Sequence, residues 1–216
     1  MNILITGASG FIGTALVKYL ADKHTVICLS RQAPEGSFVY VQGSFDSVED
    51  FIPLELPIPD DHPCLAADAY GLSKGMVEEL TRYFHRSHKD ADFINLRFGA
   101  VASPGWTPPV LELGSKPWLP FITLGHVHAE DVVEGITAAL ESPLKPGVRT
   151  LNLVGPDSSS NLPVADVLTP WIGVGFNLDY YHFPGQEYKS LYAMDRFKEE
   201  FGFVPSRSTR LTMDTI

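Results

Sequence analysis

Apolar residues recur along this chain in two periods, one of about 2 and one of about 3.6, and the alternation between them sets out its elements. A run Asn2-Ile3-Leu4-Ile5 reads as a buried strand, and Ile12, Ala15, Leu16, Tyr19 and Leu20 at i, i+3, i+4, i+7 and i+8 read as a helix packed on a sheet. Two further strands follow, Thr25 to Ser30 and Phe38 to Val41. Residues 47–69 then lose all periodicity, because Pro53, Pro57, Pro59 and Pro63 exclude a long helix or a central strand. The helical period returns from Tyr70 to about Phe84, where Leu72, Met76, Leu80 and Tyr83 make one apolar stripe. A strand is expected at Phe93 to Phe98. His126 and His128 alternate as in a strand before a helix carried by Val133, Ile136, Ala139 and Leu140. Strand Thr150 to Val154 leads to a helix with Pro163 near its start and Val164, Val167, Leu168 and Trp171 on one face. Asp195 to Phe201 reads as a last helix stopped by Gly202 and Pro205.

The first strand is followed by glycines at 7, 10 and 13, and their spacing has a chemical reading. Gly7 permits a tight turn, Gly10 lets backbone approach a pyrophosphate, and Gly13 lets the helix lie close to the sheet. A helix N-terminus there offers free N–H groups and the positive end of its dipole to an anion. Cofactor contacts are therefore expected from Gly7, Ser9, Gly10, Phe11, Ile12 and Gly13. At the end of the second strand stands Arg31, whose planar guanidinium suits a 2′-phosphate, so the expected dinucleotide is NADP in preference to NAD.

Thr6-Gly7-Ala8-Ser9-Gly10-Phe11-Ile12-Gly13 resembles the extended branch of the short-chain dehydrogenase/reductase superfamily, the NAD-dependent epimerases and dehydratases. Tyr70-Gly71-Leu72-Ser73-Lys74 is similar to that family's Tyr-x-x-x-Lys. The resemblance implies that Tyr70 exchanges a proton with the substrate oxygen while hydride moves at the adjacent carbon. It also implies that Lys74 binds the nicotinamide ribose. The residues themselves make the pairing reasonable, since a phenol with an ordinary pKa of about 10 needs a nearby cation to act as a base at neutral pH. Asn95-Leu96-Arg97-Phe98-Gly99 resembles the loop near the nicotinamide, which makes Phe98 a candidate cofactor neighbour as well as a candidate core aromatic. His126-Val127-His128-Ala129-Glu130-Asp131 resembles a helix start whose acids complement the dipole.

The resemblance implies an α/β fold, a Rossmann-like doubly wound parallel sheet with a small C-terminal substrate lobe. Residues 1–155 would be the NAD(P)-binding domain and 156–216 the lobe. The sheet is shortened, because 47–69 is a Pro-rich linker where the family has two strand-helix units of roughly 30 residues each. The serine or threonine strand beside the tyrosine would be among the missing parts. Hydride transfer on a sugar-nucleotide-like or other small substrate is then expected in impaired form, and the rival is a non-catalytic NAD(P)-binding or interaction protein. Loss of central strands exposes a hydrophobic edge that a homodimer would cover.

With 216 residues, 44% of them hydrophobic, the chain can bury a sizeable core. A net charge of −10 argues against nucleic acid or an anionic membrane as partner. A strand that begins at residue 2 leaves no room for a leader, so a cytoplasmic protein is expected. Cys28 and Cys64 give no disulfide framework, and the pairs His126/His128 and His85/His88 lack the further ligands of a metal site. Ser158-Ser159-Ser160 reads as a short loop.

Overall fold

Parallel pairing of the first strands follows from their composition, since apolar runs without polar alternation demand cover on both faces. In the computed structural model, β1 (Asn2–Thr6) pairs with β2 (Thr25–Ser30), and β2 with β3 (Val39–Gln42), all parallel, in the order β1-β2-β3. The register runs from Asn2 opposite Thr25 to Thr6 opposite Leu29. The structure describes residues 2–6, 8–9, 14, 17–18, 20–30, 39–42, 52–103, 105–172 and 175–211. Thr14, Val17, Lys18 and Leu20 are helical between β1 and β2, which gives the strand-helix-strand arrangement of a Rossmann-like fold. Ile5, Ala8, Val17, Val26 and Cys28 form the core here, with Leu20 packed against it. Of the expected helix stripe only Leu20 lies among the described residues, and Val17, three positions before it, is buried although the stripe omitted it.

The chain divides into two compact units, Met1–Val48 with Asp68–Leu72, and Glu49–Ala67 with Ser73–Ile216. The second holds β4 (Asp92–Phe98) paired in parallel with β7 (Gly147–Leu153), and β5 (Ala100–Ala102) paired in parallel with β6 (His126–His128). Its helices are α1 (Ala69–Ser87), which begins across the unit boundary, α2 (Pro120–Thr123), α3 (Ala129–Glu141), α4 (Val164–Ile172) and α5 (Asp195–Phe201). One core joins Phe121 and Leu124 to Val164, Val167 and Leu168 of α4 and to Tyr181 and Leu191. Another sets Leu151 and Leu153 of β7 against Phe197 of α5. Gly202 ends α5 in the left-handed region at φ 66°, as its sequence position predicts.

Two stretches read from sequence as plain connections are built into this core. Within the Pro-rich segment, Ile58 is 3% exposed, bridges to Tyr192 and exchanges backbone hydrogen bonds with Leu191 and Ala193. Asn152 of β7 donates to Ile58 O and Ala193 O, and its backbone N–H donates to the buried Asp60 carboxylate. Proline keeps this segment from forming regular structure, yet it does not keep single residues from satisfying a neighbouring edge. Ser158, Ser159 and Ser160 are a loop, but a fully buried one. Ser159 shares a hydrogen bond with Thr209, and Ser160 accepts from Leu162 N. Asp131 does more than complement a dipole. Fully buried, it accepts from Ser206 N, Arg207 N and the Arg207 guanidinium, and so anchors the segment after α5.

Candidate functional site

In the first unit the candidate cradle is the turn leaving β1. Ala8 is fully buried, Ser9 is exposed, and the Thr14 hydroxyl donates to Ala8 O at 3.3 Å. The predicted contacts Gly7, Gly10, Phe11, Ile12, Gly13 and Arg31 lie outside the described residues.

Tyr70 and Lys74 stand one turn apart at the start of α1, as the motif requires. Asp68 caps this helix, its carboxylate accepting the Gly71 N–H at 2.6 Å. Both Tyr70 and Lys74 are exposed. The face of α1 that is partly covered carries Gly71, Gly75, Glu78, Thr81 and His85, spaced three or four apart. It is polar and small. A side chain at Gly75 would come within 3.0 Å of the Cys64 sulfur. The amide of Asn95, on β4, donates to the Thr81 hydroxyl at 3.0 Å. Leu72, Met76, Leu80 and Tyr83 point to solvent, each more than half exposed. The apolar stripe therefore does not mark the buried side of this helix: polar pairs with β4 decide its rotation.

The strongest of these pairs was not singled out by the sequence reading. Arg97 of β4 holds Glu78 with both ends of its guanidinium, Nε to Oε1 at 2.7 Å and Nη2 to Oε2 at 2.9 Å. Its Nη1 donates to His62 O at 2.9 Å and Asp60 O at 3.3 Å. The hydrogen bonds Arg97 donates to Glu78, outweighing partial burial, push its pKa up. An arginine inside an otherwise half-apolar strand, with a glutamate four residues after Lys74, was the available signal. Phe98, next along β4, is 45% exposed and so is not a core aromatic. Burial pushes the Asp60 carboxyl up, against the opposing pull of the Asn152 N–H, Arg196 and Arg97. Among the described residues no cluster of three or more His, Cys, Asp or Glu side chains could hold a metal ion.

Comparison with known proteins bears first on the β1 to β3 segment. Residues 3–44 match the NAD dependent epimerase/dehydratase family. The chain thus resembles that family where its parallel sheet and cradle turn lie. No curated protein matches. Among solved structures, UDP-glucose 4-epimerase from Bifidobacterium longum, in complex with NAD+ and UDP, is 14% identical at a TM-score of 0.46, covering 97% of this chain and 95% of that one. A short-chain dehydrogenase/reductase superfamily protein from Agrobacterium tumefaciens with bound NAD is 17% identical at 0.46, covering 97% and 94%. UDP-glucuronic acid 4-epimerase from Bacillus cereus is 15% identical at 0.43, covering 97% and 93%. At such identities and scores the likeness assigns no residue a role. No helix among the described residues is long and apolar enough to cross a membrane.

Proposed function

We propose that this chain binds a nicotinamide dinucleotide at the turn after β1, and that Tyr70 and Lys74 are the acid/base pair of an epimerase, dehydratase or reductase of the extended short-chain type. The observation that carries this reading is a parallel β1-β2-β3 sheet whose first strand opens into a turn with Ser9 exposed, in the segment that matches the family. A pyrophosphate needs an exposed turn of that kind at a strand's C-terminal end, so the residues fit the group. Bound there, NAD(P) would supply or accept hydride at a carbinol or ketone carbon. Lys74 would hold the ribose and, as a cation one turn from Tyr70, favour the phenolate. Tyr70 would then take the proton from the carbinol or return it to the ketone oxygen. A sugar nucleotide is the substrate class in view, and NADP is favoured over NAD through Arg31.

One observation favours a second reading, a binding protein without turnover. Among the described residues no strand lies between β3 and α1, and residues 52–68 contain no serine or threonine to share the substrate oxygen with Tyr70. Losing one such donor costs on the order of 10² to 10³ in rate.

Calorimetric titration with NAD and NADP tests binding. Gly10→Leu puts a side chain where the pyrophosphate is expected, so affinity should collapse with the circular dichroism unchanged; equal affinity would reject the cradle. Arg31→Asp should shift preference toward NAD, and an unmoved ratio of dissociation constants would leave Arg31 no part in it. Feeble or absent turnover is expected. Any that exists should vanish in Tyr70→Phe with little change in dinucleotide binding.

A further inference from the structure

We propose that the Trp106 ring is a pH-sensitive cover: it stays stacked on His126 while the imidazole is neutral and lifts away when that ring takes up a proton. Trp106 closes a turn that begins at Ser103, its N–H donating to Ser103 O at 3.0 Å, with Gly105 left-handed at φ 78°. The turn carries the indole back from the end of β5 onto the first residue of β6, at a centroid separation of 4.0 Å and 28° between ring planes. Beyond Trp106 the loop is loosely held. Thr107 and Val110 are exposed, and Pro108 and Pro109 have no N–H to bond. The next anchor is Leu111, whose N–H and carbonyl are both held by the Asn161 amide, at 2.7 and 3.0 Å. The covered spot lies where β4 and β7 end, since Ala100 N–H donates to Gly125 O at 2.8 Å and Gly155 N–H to His126 O at 2.9 Å. Open α/β sheets take ligands at that C-terminal edge of their strands.

His126 supplies the proton sensitivity. Its Nδ1 is buried and has no hydrogen-bond partner. A neutral imidazole can leave that nitrogen bare, but the cation carries N–H on both nitrogens and would place one where no acceptor stands. Two effects then compete. An indole face attracts a cation, and the Thr123 carbonyl also favours the charged ring. Against them stands a charged N–H with neither water nor acceptor, which costs more than one ring contact returns. Burial wins, and it holds the His126 pKa below the ordinary histidine value. The closed stack thus binds the proton less tightly than an open one, so closure is favoured above the roughly 6.5 of a solvated ring and is lost as pH falls below it. The titratable groups on the elements meeting β6 are His128, Glu130, Asp131 and Glu134 after it, Tyr192 against Gly125, and Asp157 beyond β7. Arg207 holds Asp131 and Glu134, and Lys189 holds Asp157. None of them moves the His126 pKa, whose two causes are burial and the Thr123 carbonyl, and β5 and α2 carry no titratable side chain.

The test is acrylamide quenching of tryptophan fluorescence in the full chain from pH 8 to 5, with Trp106 read as the difference between a protein and its Trp106→Phe variant. Quenching of Trp106 should rise on the order of twofold as pH falls, with a midpoint below about 6.5. His126→Phe keeps a ring under the indole but cannot titrate, so its Trp106 should stay shielded throughout. If wild-type quenching is as flat as that of His126→Phe, the cover is fixed and the proposal is overturned. If the rise persists in His126→Phe, another group drives it and the proposal is again overturned. Proton NMR between pH 6 and 8 gives a second reading that does not need the fold to survive acid. The His126 resonance, identified by its loss in His126→Phe or His126→Gln, should titrate at higher pH in Trp106→Ala than in wild type, toward about 6.5. An unmoved His126 titration would show that the indole does not govern the proton, and would overturn the proposal by itself.

Discussion

At the scale of single residues, two carboxylates in the larger unit link stability to pH with opposite signs. Burial pushes Asp60 above the ordinary carboxylate range, the Asn152 N–H and the charges of Arg196 and Arg97 only partly offsetting the loss of water. The folded state thus holds this proton more tightly than the unfolded chain. Stability contributed by protonated Asp60 is present at low pH and is lost as pH rises from about 3.9 through the folded value. Asp92 is the reverse case. Burial alone would raise it, but the Arg149 hydrogen bonds at 2.6 Å and the Lys145 N–H outweigh burial and set it below the ordinary value. Its stabilisation is present above about 3.9 and is lost as pH falls through the folded value. Urea unfolding from pH 3 to 7 checks both. Relative to wild type, Asp60→Asn should gain stability as pH rises and Asp92→Asn should lose it, so parallel curves for the two variants would refute the assignment. All three tryptophans, Trp106, Trp118 and Trp171, lie in this unit, so intrinsic fluorescence follows the relevant transition.

At the scale of elements, the informative pair is the Pro-rich segment and α1, because sequence pattern speaks wrongly about the inner side of each. Ile58→Ala should cost about 2 to 4 kcal/mol in fluorescence-detected urea unfolding, as for a buried aliphatic in a packed core. Leu80→Gln, on the exposed stripe of α1, should change stability by less than about 0.5 kcal/mol. If the two substitutions exchanged these effects, the segment would be a mere linker and the stripe the buried face. Much of the rest was legible. Asp195–Phe201 is helical as read, β2 occupies Thr25–Ser30, β4 starts one residue before its expected bound, and a helix, α3, contains the four residues read as carrying one. In β2 and α5 the apolar period agrees with the burial, whereas in α3 Val133 and Leu140 of the expected stripe are exposed and Asp131, Val132 and Gly135 are buried. What escaped were contacts whose partners lie far along the chain: Asp60 with Asn152, Asp131 with Arg207, Glu78 with Arg97. Polar pairing across such separations leaves no periodic trace. The expected strand at Thr150 to Val154 instead spans Gly147–Leu153, because pairing with β4 begins at Gly147, opposite Asp92, which no local pattern announces.

At the scale of the whole molecule, a net charge of −10 sets the long-range field against an anionic ligand, while the proposed contacts to that ligand are local. The two act over different distances. Distant carboxylates repel a dinucleotide through solvent, and salt screens them with a Debye length of about 10 Å at 0.1 M. Backbone N–H groups at a strand-to-helix turn, one arginine and one lysine act at contact, where screening is weak. Raising the salt should then remove repulsion about as fast as it weakens attraction. The dissociation constant for NADP is expected to change by no more than about twofold between 20 and 200 mM KCl. A site that held the ligand chiefly through a cluster of several cations would instead weaken by well over twofold across that range, because only attraction would be screened. Titration calorimetry at the two salt concentrations separates the cases. A steep loss of affinity would show that a cluster of cations holds the ligand and that the proposed cradle does not. A near-flat response, abolished together with binding in Gly10→Leu, is what a turn built for one pyrophosphate on an acidic protein should give.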